Sequence, residues 1–286
     1  MVAYGPMSKR NDLAVLSFRG ADAARFLHNQ LTIDVESLDA GQASFAALCQ
    51  PKGRVMALLC VGATDDGFLV LCHESLAEGL LSHLRRFVFR DKVTLERRDD
   101  LQVGSGNIEG AVVAEFEPLD GFSYALTERA ETGAAAEAPP AIERAWELEA
   151  GIAWLDSASA ETFLPQMLGH EVLGALSFQK GCFPGQEVIA RTRYLGKLKR
   201  HPWSGTVEER LPIPVLGELI LSNGALEASG VLVDQAERDD GRWQLLVVAR
   251  RTESFDVNSL TVAERTLPST GRWLNDALPP RESAKA

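Results

Sequence analysis

The sequence has no apolar run long enough to cross a membrane, and its longest one lies at residues 55–61. A transmembrane helix needs about 20 consecutive, mostly apolar residues. Residues 1–12 also lack the apolar core of a secretory signal, because Lys9, Arg10 and Asp12 interrupt them. We therefore expect a cytoplasmic protein that has no membrane partner.

Cysteine is scarce, and its spacing matches no common metal motif. None of the four cysteines forms a pair separated by two residues, and Cys49, Cys60 and Cys72 lie in apolar patterns typical of buried strands. Free thiols in a reducing compartment are the simplest interpretation. We predict no intrinsic metal, neither a zinc ion nor a cluster held by cysteines.

Basic residues are fewer than acidic ones. The chain has 29 Lys and Arg residues and 40 Asp and Glu residues, which gives a net charge of -11. This balance argues against broad, nonspecific binding to nucleic acid, although it is compatible with one local basic patch. Several enzyme motifs are also absent from the sequence: the glycine-rich dinucleotide loop, the phosphate-binding P-loop, the nucleophile elbow and the paired histidines of zinc proteases.

The apolar pattern of the first hundred residues predicts strands combined with helices. Five short segments favour strands: residues 13–18, 44–48, 54–61, 68–72 and 93–95. Two segments have helical spacing: residues 22–31, with Asp22 as the expected cap, and residues 74–89. Strand pairs that alternate with a packed helix favour the α+β class over a doubly wound sheet.

The remainder of the chain divides into two patterns. Residues 132–140 are rich in alanine and proline and predict an exposed loop, followed by a helix at 141–150 that Gly151 ends. Beyond residue 203, short alternating segments at 218–221, 230–233 and 243–249 are separated by turn residues. They predict a small antiparallel barrel or sandwich.

The most informative segment spans residues 178–191. A turn containing glycine and proline leads into a helix predicted over residues 186–194. Cys182 lies just before this helix and beside Lys180, and both a helix N-terminus and a nearby cation stabilise a thiolate. Cys182 is therefore a candidate nucleophile, redox thiol or transient ligand, and a small residue packed in a turn is the alternative.

A basic interval follows the predicted helix start. Between Glu187 and Glu208 there is no carboxylate, and this interval contains the basic residues Arg191, Arg193, Lys197, Lys199 and Arg200. Such a cluster would suit an anionic ligand tail or an RNA backbone, with a solvated face as the alternative. Glu187 and Arg191 are four residues apart, which also allows a simple ion pair on the helix surface.

The segment resembles a signature of the YgfZ family, K-G-C-[YF]-x-G-Q-E-x-x-[AS]-R-x-x-[YF]-x-G. The matching motif residues include Lys180, Gly181, Cys182, Gly185, Gln186, Glu187 and Arg191. Further matches, in order along the chain, are Gln30-Leu31-Thr32-Ile33-Asp34, Lys52-Gly53-Arg54 and Phe163-Leu164-Pro165-Gln166. The resemblance covers most of the chain to about residue 200 and is weaker beyond it.

The YgfZ family is related to the aminomethyltransferase of the glycine cleavage system, and this resemblance implies a fold. We expect a three-domain ring of two ferredoxin-like α+β units and a C-terminal antiparallel β-barrel. The expected division assigns residues 1–40 with 106–200 to the first unit, which binds folate, and residues 41–105 to the second. The barrel is expected at residues 201–280 and a disordered tail at residues 281–286.

The resemblance also implies a function. Tetrahydrofolate, or a folate derivative, is expected in the central funnel, and family members are linked to the assembly or repair of iron–sulfur enzymes. The expected partners are folate and iron–sulfur enzymes or cluster-assembly proteins, with an indirect effect on tRNA modification. We expect a monomer, because nothing in the sequence indicates an interface.

Three residues are the expected folate contacts. The sequence Leu148-Glu149-Ala150-Gly151 resembles a segment of the aminomethyltransferase whose glutamate binds the pterin. A carboxylate suits this role because it accepts two parallel hydrogen bonds from adjacent N–H donors. Glu149 is therefore the first candidate, and Gln166 and Arg191 are the others; an exposed glutamate at a helix end is the alternative for Glu149.

One departure from the aminomethyltransferase pattern bears on catalysis. Residues 53–58 match the strand that carries two aspartates in that enzyme, but Ala57 and Leu58 stand at the aspartate positions. Neither side chain can act as a base. We therefore do not expect aminomethyl transfer by the same mechanism. A tetrahydrofolate-dependent aminomethyl- or methyltransferase remains one alternative function, and an RNA- or protein-interaction module using residues 191–200 remains another.

Overall fold

A computed structural model describes residues 8–105, 112–129, 141–251 and 255–278. The predicted loop at 132–140 and the predicted tail at 281–286 lie outside these residues. The described chain forms four α-helices: α1 (Ala23–Gln30), α2 (Ala77–Arg85), α3 (Ala141–Ala150) and α4 (Gln186–Tyr194). Its fifteen strands are β1 (Ser8–Lys9), β2 (Leu13–Arg19), β3 (Ala43–Cys49), β4 (Val55–Thr64), β5 (Gly67–His73), β6 (Thr94–Arg97), β7 (Leu101–Ser105), β8 (Val112–Leu119), β9 (Phe122–Glu128), β10 (Arg200–Val207), β11 (Glu218–Ser222), β12 (Glu227–Glu237), β13 (Trp243–Arg250), β14 (Ser259–Val262) and β15 (Arg265–Trp273).

A five-stranded antiparallel sheet with the order β3-β4-β5-β2-β6 forms the first unit. Helices α1 and α2 cover one face of it, where Phe26, Leu27, Leu80 and Leu84 are buried with the apolar side chains of the strands. The order β6-β2-β5-β4, with one helix after β2 and one after β5, is the ferredoxin-like arrangement. Strand β3 extends this arrangement at one edge.

Two predicted helix ends differ from the observed ones. The segment predicted as a helix over residues 74–89 begins with a 3₁₀ turn at Glu74–Leu76, and α2 ends at Arg85, so that Phe89 is 84% exposed. The side chain of Asp22 does not cap α1. Its carboxylate instead accepts a hydrogen bond from the backbone N–H of Lys92 at 2.7 Å, because the chain entering β6 passes beside the start of α1.

A second, four-stranded antiparallel sheet has the order β1-β7-β9-β8. The predicted boundaries between the two units do not separate the two sheets. Strand β2, from the segment 1–40, pairs with β5 and β6, whereas β7, from the segment 41–105, belongs to the second sheet. Antiparallel pairing joins strands that have matching apolar faces, and these strands need not be neighbours in sequence.

The two sheets pack face to face around a common core. Leu58 and Leu71 of the first sheet are buried together with Val103, Phe116 and Leu126 of the second. Gly62 on β4 permits this approach, since a Cβ atom there would lie 2.2 Å from the ring of Phe116. The helices and the second sheet therefore bury opposite faces of the first sheet, which explains why its strands are almost continuously apolar.

The C-terminal strands close into a six-stranded barrel in the order β10-β13-β12-β11-β14-β15. The predicted barrel is thus present. Helix α3 packs against its strands β12 and β13. Leu148 on this helix is buried together with Leu246 and Val248 of the barrel. No helix within the described residues is long and apolar enough to span a membrane.

Candidate functional site

Residues 178–185, here called the cysteine loop because they contain Cys182, precede α4 and pack on the turn between β3 and β4. Gly185, at the helix start, has φ of +85°, and a Cβ atom there would lie 2.7 Å from the carbonyl oxygen of Gln50 and 2.7 Å from the Cα of Gly53. Only glycine combines this left-handed backbone conformation with so close an approach. Gly185 and Gly53, both in matched motifs, therefore form one backbone contact that positions the loop.

Cys182 differs from the other cysteines in its exposure. Cys182 is exposed, whereas Cys49, Cys60 and Cys72 are buried in strands, as their apolar patterns predict. Burial raises the pKa of the Cys72 thiol to about 12, and raises those of Cys49 and Cys60 as well. Since the thiolate is the reactive form, the three buried cysteines are inert, and Cys182 is the thiol that a partner can reach.

Lys180 is a buried clamp, not a free cation at the surface. Its ammonium group donates hydrogen bonds to the carbonyl oxygens of His28 and, at 2.6 Å, of Leu31, where α1 ends. Burial lowers the pKa of Lys180 to about 8, and the charges of Asp34, Glu36 and Cys182 oppose that shift. The motif lysine therefore fastens the cysteine loop to α1 and remains an electrostatic neighbour of the thiol.

The other residues predicted on or near α4 have separate positions. Glu187 and Arg191 are exposed, and within the described residues they form no ion pair with each other, contrary to the simple pairing allowed by their spacing. Gln166 is buried, and its side-chain amide donates to the carbonyl oxygen of Ile189 at 2.8 Å. Gln166 thus ties α4 to the preceding turn, and its role as a folate contact stays a prediction.

Most of the predicted basic patch is on the surface. Arg191, Lys197, Lys199 and Arg200 are exposed. Arg193 differs, because it pairs with Glu171 at 2.8 Å and lies over the ring of Phe178. Exposed Tyr194 and Leu195 interrupt the basic residues, so this surface combines cations with apolar groups.

Glu149 lies at the last turn of α3, beside the barrel. Its carboxylate is about half exposed and accepts a hydrogen bond from Arg238 at 2.8 Å. The same carboxylate opens into a cavity of about 300 Å³ between α3 and the barrel. The cavity is lined by Glu149, Ser204, Gly205, Thr206, Arg238, Arg242, Gln244, Thr270, Gly271 and Arg272.

Comparison with known sequences identifies the family. The chain is 31% identical over 221 residues to the tRNA-modifying protein YgfZ of Sodalis glossinidius, an alignment that covers 66% of this chain and 67% of the relative. The chain belongs to the YgfZ family. The proteins of the same name from Klebsiella pneumoniae and an Enterobacter species are 29% and 28% identical, over 87% and 86% of this chain and 86% of each relative. No family model matches the chain.

A solved structure supports the fold expected for this YgfZ family member. The crystal structure of the glycine cleavage system aminomethyltransferase T from Bartonella henselae superimposes with a TM-score of 0.69 at 14% identity. The match covers 94% of this chain and 85% of the enzyme. At this identity the similarity concerns the fold alone. The expected aminomethyltransferase-like α+β fold with a C-terminal barrel is therefore confirmed.

The residues around the Glu149 cavity are compatible with a folate in this YgfZ family protein. The exposed part of the Glu149 carboxylate can accept N–H groups of a pterin, and the guanidinium group of Arg272 can bind a carboxylate of a glutamate tail, whereas Arg242 already pairs with Asp240 at 2.6 Å. Arg238 already holds one oxygen of Glu149, which orients the carboxylate. Such a ligand would lie against the barrel, beside α3.

The strand positions that carry aspartates in the aminomethyltransferase are buried here. Ala57 and Leu58 on β4 have at most 1% of their surface exposed, and Leu58 packs in the core between the two sheets with Phe45 and Trp154. A packed leucine cannot take or hold a proton. These positions therefore offer no acid–base group to a ligand.

A buried charged centre, which no sequence pattern indicates, lies behind this strand. Glu147 of α3 accepts hydrogen bonds from Arg10 at 2.6 Å, Tyr124 at 2.7 Å and Trp154 at 3.1 Å. Burial alone would lower the pKa of Arg10, but Glu147 and Asp12 outweigh it and raise that pKa well above its ordinary value. The partners Arg10 and Glu147 are 137 residues apart, so no local pattern could have joined them.

Among the described residues, one group of side chains brings three metal-ligating atoms within 4.8 Å of one another. It consists of His28, Asp34 and Glu36, next to the Lys180 clamp. A hydrogen-bonding contact of 3.0 Å between His28 Nδ1 and Asp34 accounts for much of this closeness without a metal. The expectation that the chain has no intrinsic metal stays a prediction.

Proposed function

We propose that this YgfZ family member binds a tetrahydrofolate in the cavity beside α3, with Glu149 as the acceptor for the pterin N–H groups. One observation carries the proposal: the carboxylate expected to bind the pterin opens into a cavity of about 300 Å³ that also holds three arginines. The combination suits a ligand that has N–H donors at one end and carboxylates at the other.

Calorimetric titration with tetrahydrofolate tests this proposal. The unaltered protein is expected to bind saturably, and Glu149→Gln is expected to weaken binding at least tenfold, about 1.4 kcal/mol, because the amide presents an N–H group to the pterin donors. Glu227→Gln is the matched control, since Glu227 is exposed at the far end of a barrel strand. Absence of heat from folded protein, or equal affinity for Glu149→Gln, would contradict the proposal.

We further propose that the folate-bound protein acts in the assembly or repair of iron–sulfur enzymes and affects tRNA modification through them. The exposed thiol of Cys182, held in the matched motif by Lys180 and Gly185, supports this role because a partner can reach it. In a strain that lacks its own copy, Cys182→Ala is expected to leave iron–sulfur enzyme activity low while the variant accumulates normally. Full restoration of that activity would remove the assigned role of the thiol.

Neither alternative function gains comparable support. Aminomethyl transfer requires an acid–base group that the buried Ala57 and Leu58 do not supply. The RNA- or protein-interaction module using residues 191–200 stays a prediction, as do the cytoplasmic location and the monomeric state. Binding to RNA through these cations would weaken steeply with added salt, which distinguishes it from folate binding.

A further inference from the structure

A second cavity, of about 550 Å³, lies on the outer wall of the barrel and does not include Glu149. Cavities of this size are typical of sites for small organic ligands. Its lining comes from five strands and includes Arg200, Arg250, Val231, Ile220, Glu218 and Glu264.

The strand register shows how this cavity is built. Residues directly opposite each other on paired strands point to the same side of the sheet. Arg200 of β10 lies opposite Arg250 of β13, and Ile220 of β11 lies between Ser229 of β12 and Thr261 of β14. The cavity is therefore lined by five neighbouring strands of a closed barrel, whose outer surface curves, so that its two charged ends lie closer together than they would on a flat sheet.

The two arginines at one end form an unusual pair. Both side chains are exposed, and within the described residues neither has a carboxylate partner or a hydrogen-bond acceptor. Like charges directly opposite each other on antiparallel strands are destabilising. A bound carboxylate or phosphate between two guanidinium groups would relieve this repulsion and accept several charge-assisted hydrogen bonds.

The other end and the middle of the cavity have different chemistry. Glu218 and Glu264 line the end at β11 and β14, so charge changes from positive to negative along the cavity. Between the charged ends lie Val231, which is half-buried, and Ile220, which is 37% exposed although it is apolar, whereas Val248 is buried with Leu148 of α3. The middle of a ligand that fits here is therefore apolar.

The closed barrel excludes a bound peptide strand. A peptide that adds to a sheet needs an unpaired strand edge, and a closed barrel has none. A peptide laid across the side chains of the cavity would leave its own backbone groups against Val231 and Ile220, without partners. A small molecule with polar groups only at its ends avoids this cost.

We propose that this barrel cavity binds an aromatic carboxylate that carries N–H donors at its far end. Its carboxylate lies between Arg200 and Arg250, its aromatic body lies on Val231 and Ile220, and its N–H donors face Glu218 and Glu264. The site is separate from the cavity at Glu149, since the two cavities share no lining residue.

Binding of 4'-aminobiphenyl-4-carboxylate, measured by fluorescence titration, tests this assignment. The unaltered protein is expected to bind it saturably, and Arg250→Gln is expected to weaken binding at least tenfold. The neutral carboxamide of the same biphenyl is expected to bind at least tenfold more weakly than the carboxylate. Arg86→Gln, which removes an exposed arginine from the end of α2, is the matched control and should bind like the unaltered protein.

Two further results separate this site from the folate site. Arg250→Gln should retain its affinity for tetrahydrofolate, and Glu149→Gln should retain its affinity for the biphenyl probe. If the unaltered protein bound the biphenyl probe but not tetrahydrofolate, the proposed function would be contradicted and the second site would be supported. No saturable binding of the probe to folded protein, or equal probe affinity for Arg250→Gln, would overturn the second site.

A thermal measurement checks that the arginine does not serve the fold. Without ligand, Arg250→Gln is expected to have a melting temperature equal to or above that of the unaltered protein, because it removes a like-charge contact. Saturating probe should raise the melting temperature of the unaltered protein but not that of the variant. A lowered melting temperature of the ligand-free variant would contradict the assignment.

Discussion

Two carboxylates on one helix, Glu147 and Glu149, have opposite surroundings. Glu147 is 3% exposed and accepts hydrogen bonds from Arg10, Tyr124 and Trp154 between the helix and the second sheet. Glu149 is about half exposed and faces the barrel cavity with Arg238 as its partner. Two residues correspond to about 200° around a helix, so the two side chains point to opposite sides.

This difference separates a structural charge from one available to a ligand. The oxygens of Glu147 are occupied by protein donors in a site closed to solvent, so that a ligand has neither access nor acceptor capacity there. Glu149 keeps part of its carboxylate open to the cavity. Identical residue types on one helix can therefore have unrelated roles, which their exposure and their partners decide.

The largest expected effect comes from breaking the buried partner set. Glu147→Gln replaces an acceptor oxygen with an N–H group beside the buried Arg10, and we expect it to lower the free energy of unfolding by about 3 kcal/mol. Glu149→Gln, at an exposed ion pair, should lower it by less than about 0.5 kcal/mol. Urea denaturation of the two variants measures the contrast directly.

A combined variant shows whether the buried charge is the cause. Replacing Arg10 together with both carboxylates bonded to it, as in Arg10→Met with Asp12→Asn and Glu147→Leu, should lower the free energy of unfolding by less than Glu147→Gln does, because the buried arginine and its carboxylate partners are removed together. Equal losses for Glu147→Gln and Glu149→Gln would remove the distinction between the two sides of the helix.

A smaller effect, dependent on pH, comes from His170. Burial lowers the pKa of His170 to about 3, whereas the unfolded chain has the ordinary value near 6.5. Between these values the unfolded state binds a proton that the folded state does not, so acid favours unfolding. The stability that neutral His170 contributes is fully present above about pH 6.5 and falls as pH decreases toward 3.

Denaturation at pH 7.0 and pH 4.5 measures this contribution. We expect His170 to account for a loss of about 2 to 3 kcal/mol in the free energy of unfolding over this interval, from about 1.4 kcal/mol per pH unit. His170→Leu should reduce the loss by that amount. An unchanged pH dependence in His170→Leu would show that another buried group controls acid unfolding.

The local predictions that succeeded concern segments whose pattern is complete in the sequence. Helix α4 extends from Gln186 to Tyr194, as its start and stop residues predict, and the alternating segments after residue 203 form the barrel. Strands β8 and β9 were missed, although Asp120 and Gly121 between them are a recognised hairpin signal. The sheet that contains these two strands also includes β1 and β7 from distant segments of the chain. The two strands alone would therefore not have located the boundaries between the two units.

The sequence indicated which residues belong to the candidate site but not how they are arranged in space. The motif indicated Cys182 and Lys180, yet only the structure shows that the lysine is buried against the end of α1 while the thiol is exposed. Glu149 was named from its resemblance to a pterin-binding glutamate, and its cavity against the barrel was not foreseen. The second cavity depends on the register of five strands, which no single segment encodes.

By itself, the sequence determined the secondary structure around the motif, the glycine that the cysteine loop requires, and the family. Turn residues, helix ends and apolar periodicity act over a few residues, so they can be recognised locally. Only the tertiary structure decided that Glu147 is enclosed and Glu149 is open, and that Arg200 lies opposite Arg250 on the paired strand. Helical periodicity sets the angle between two side chains, but the partner that each one meets depends on which distant strands pack there.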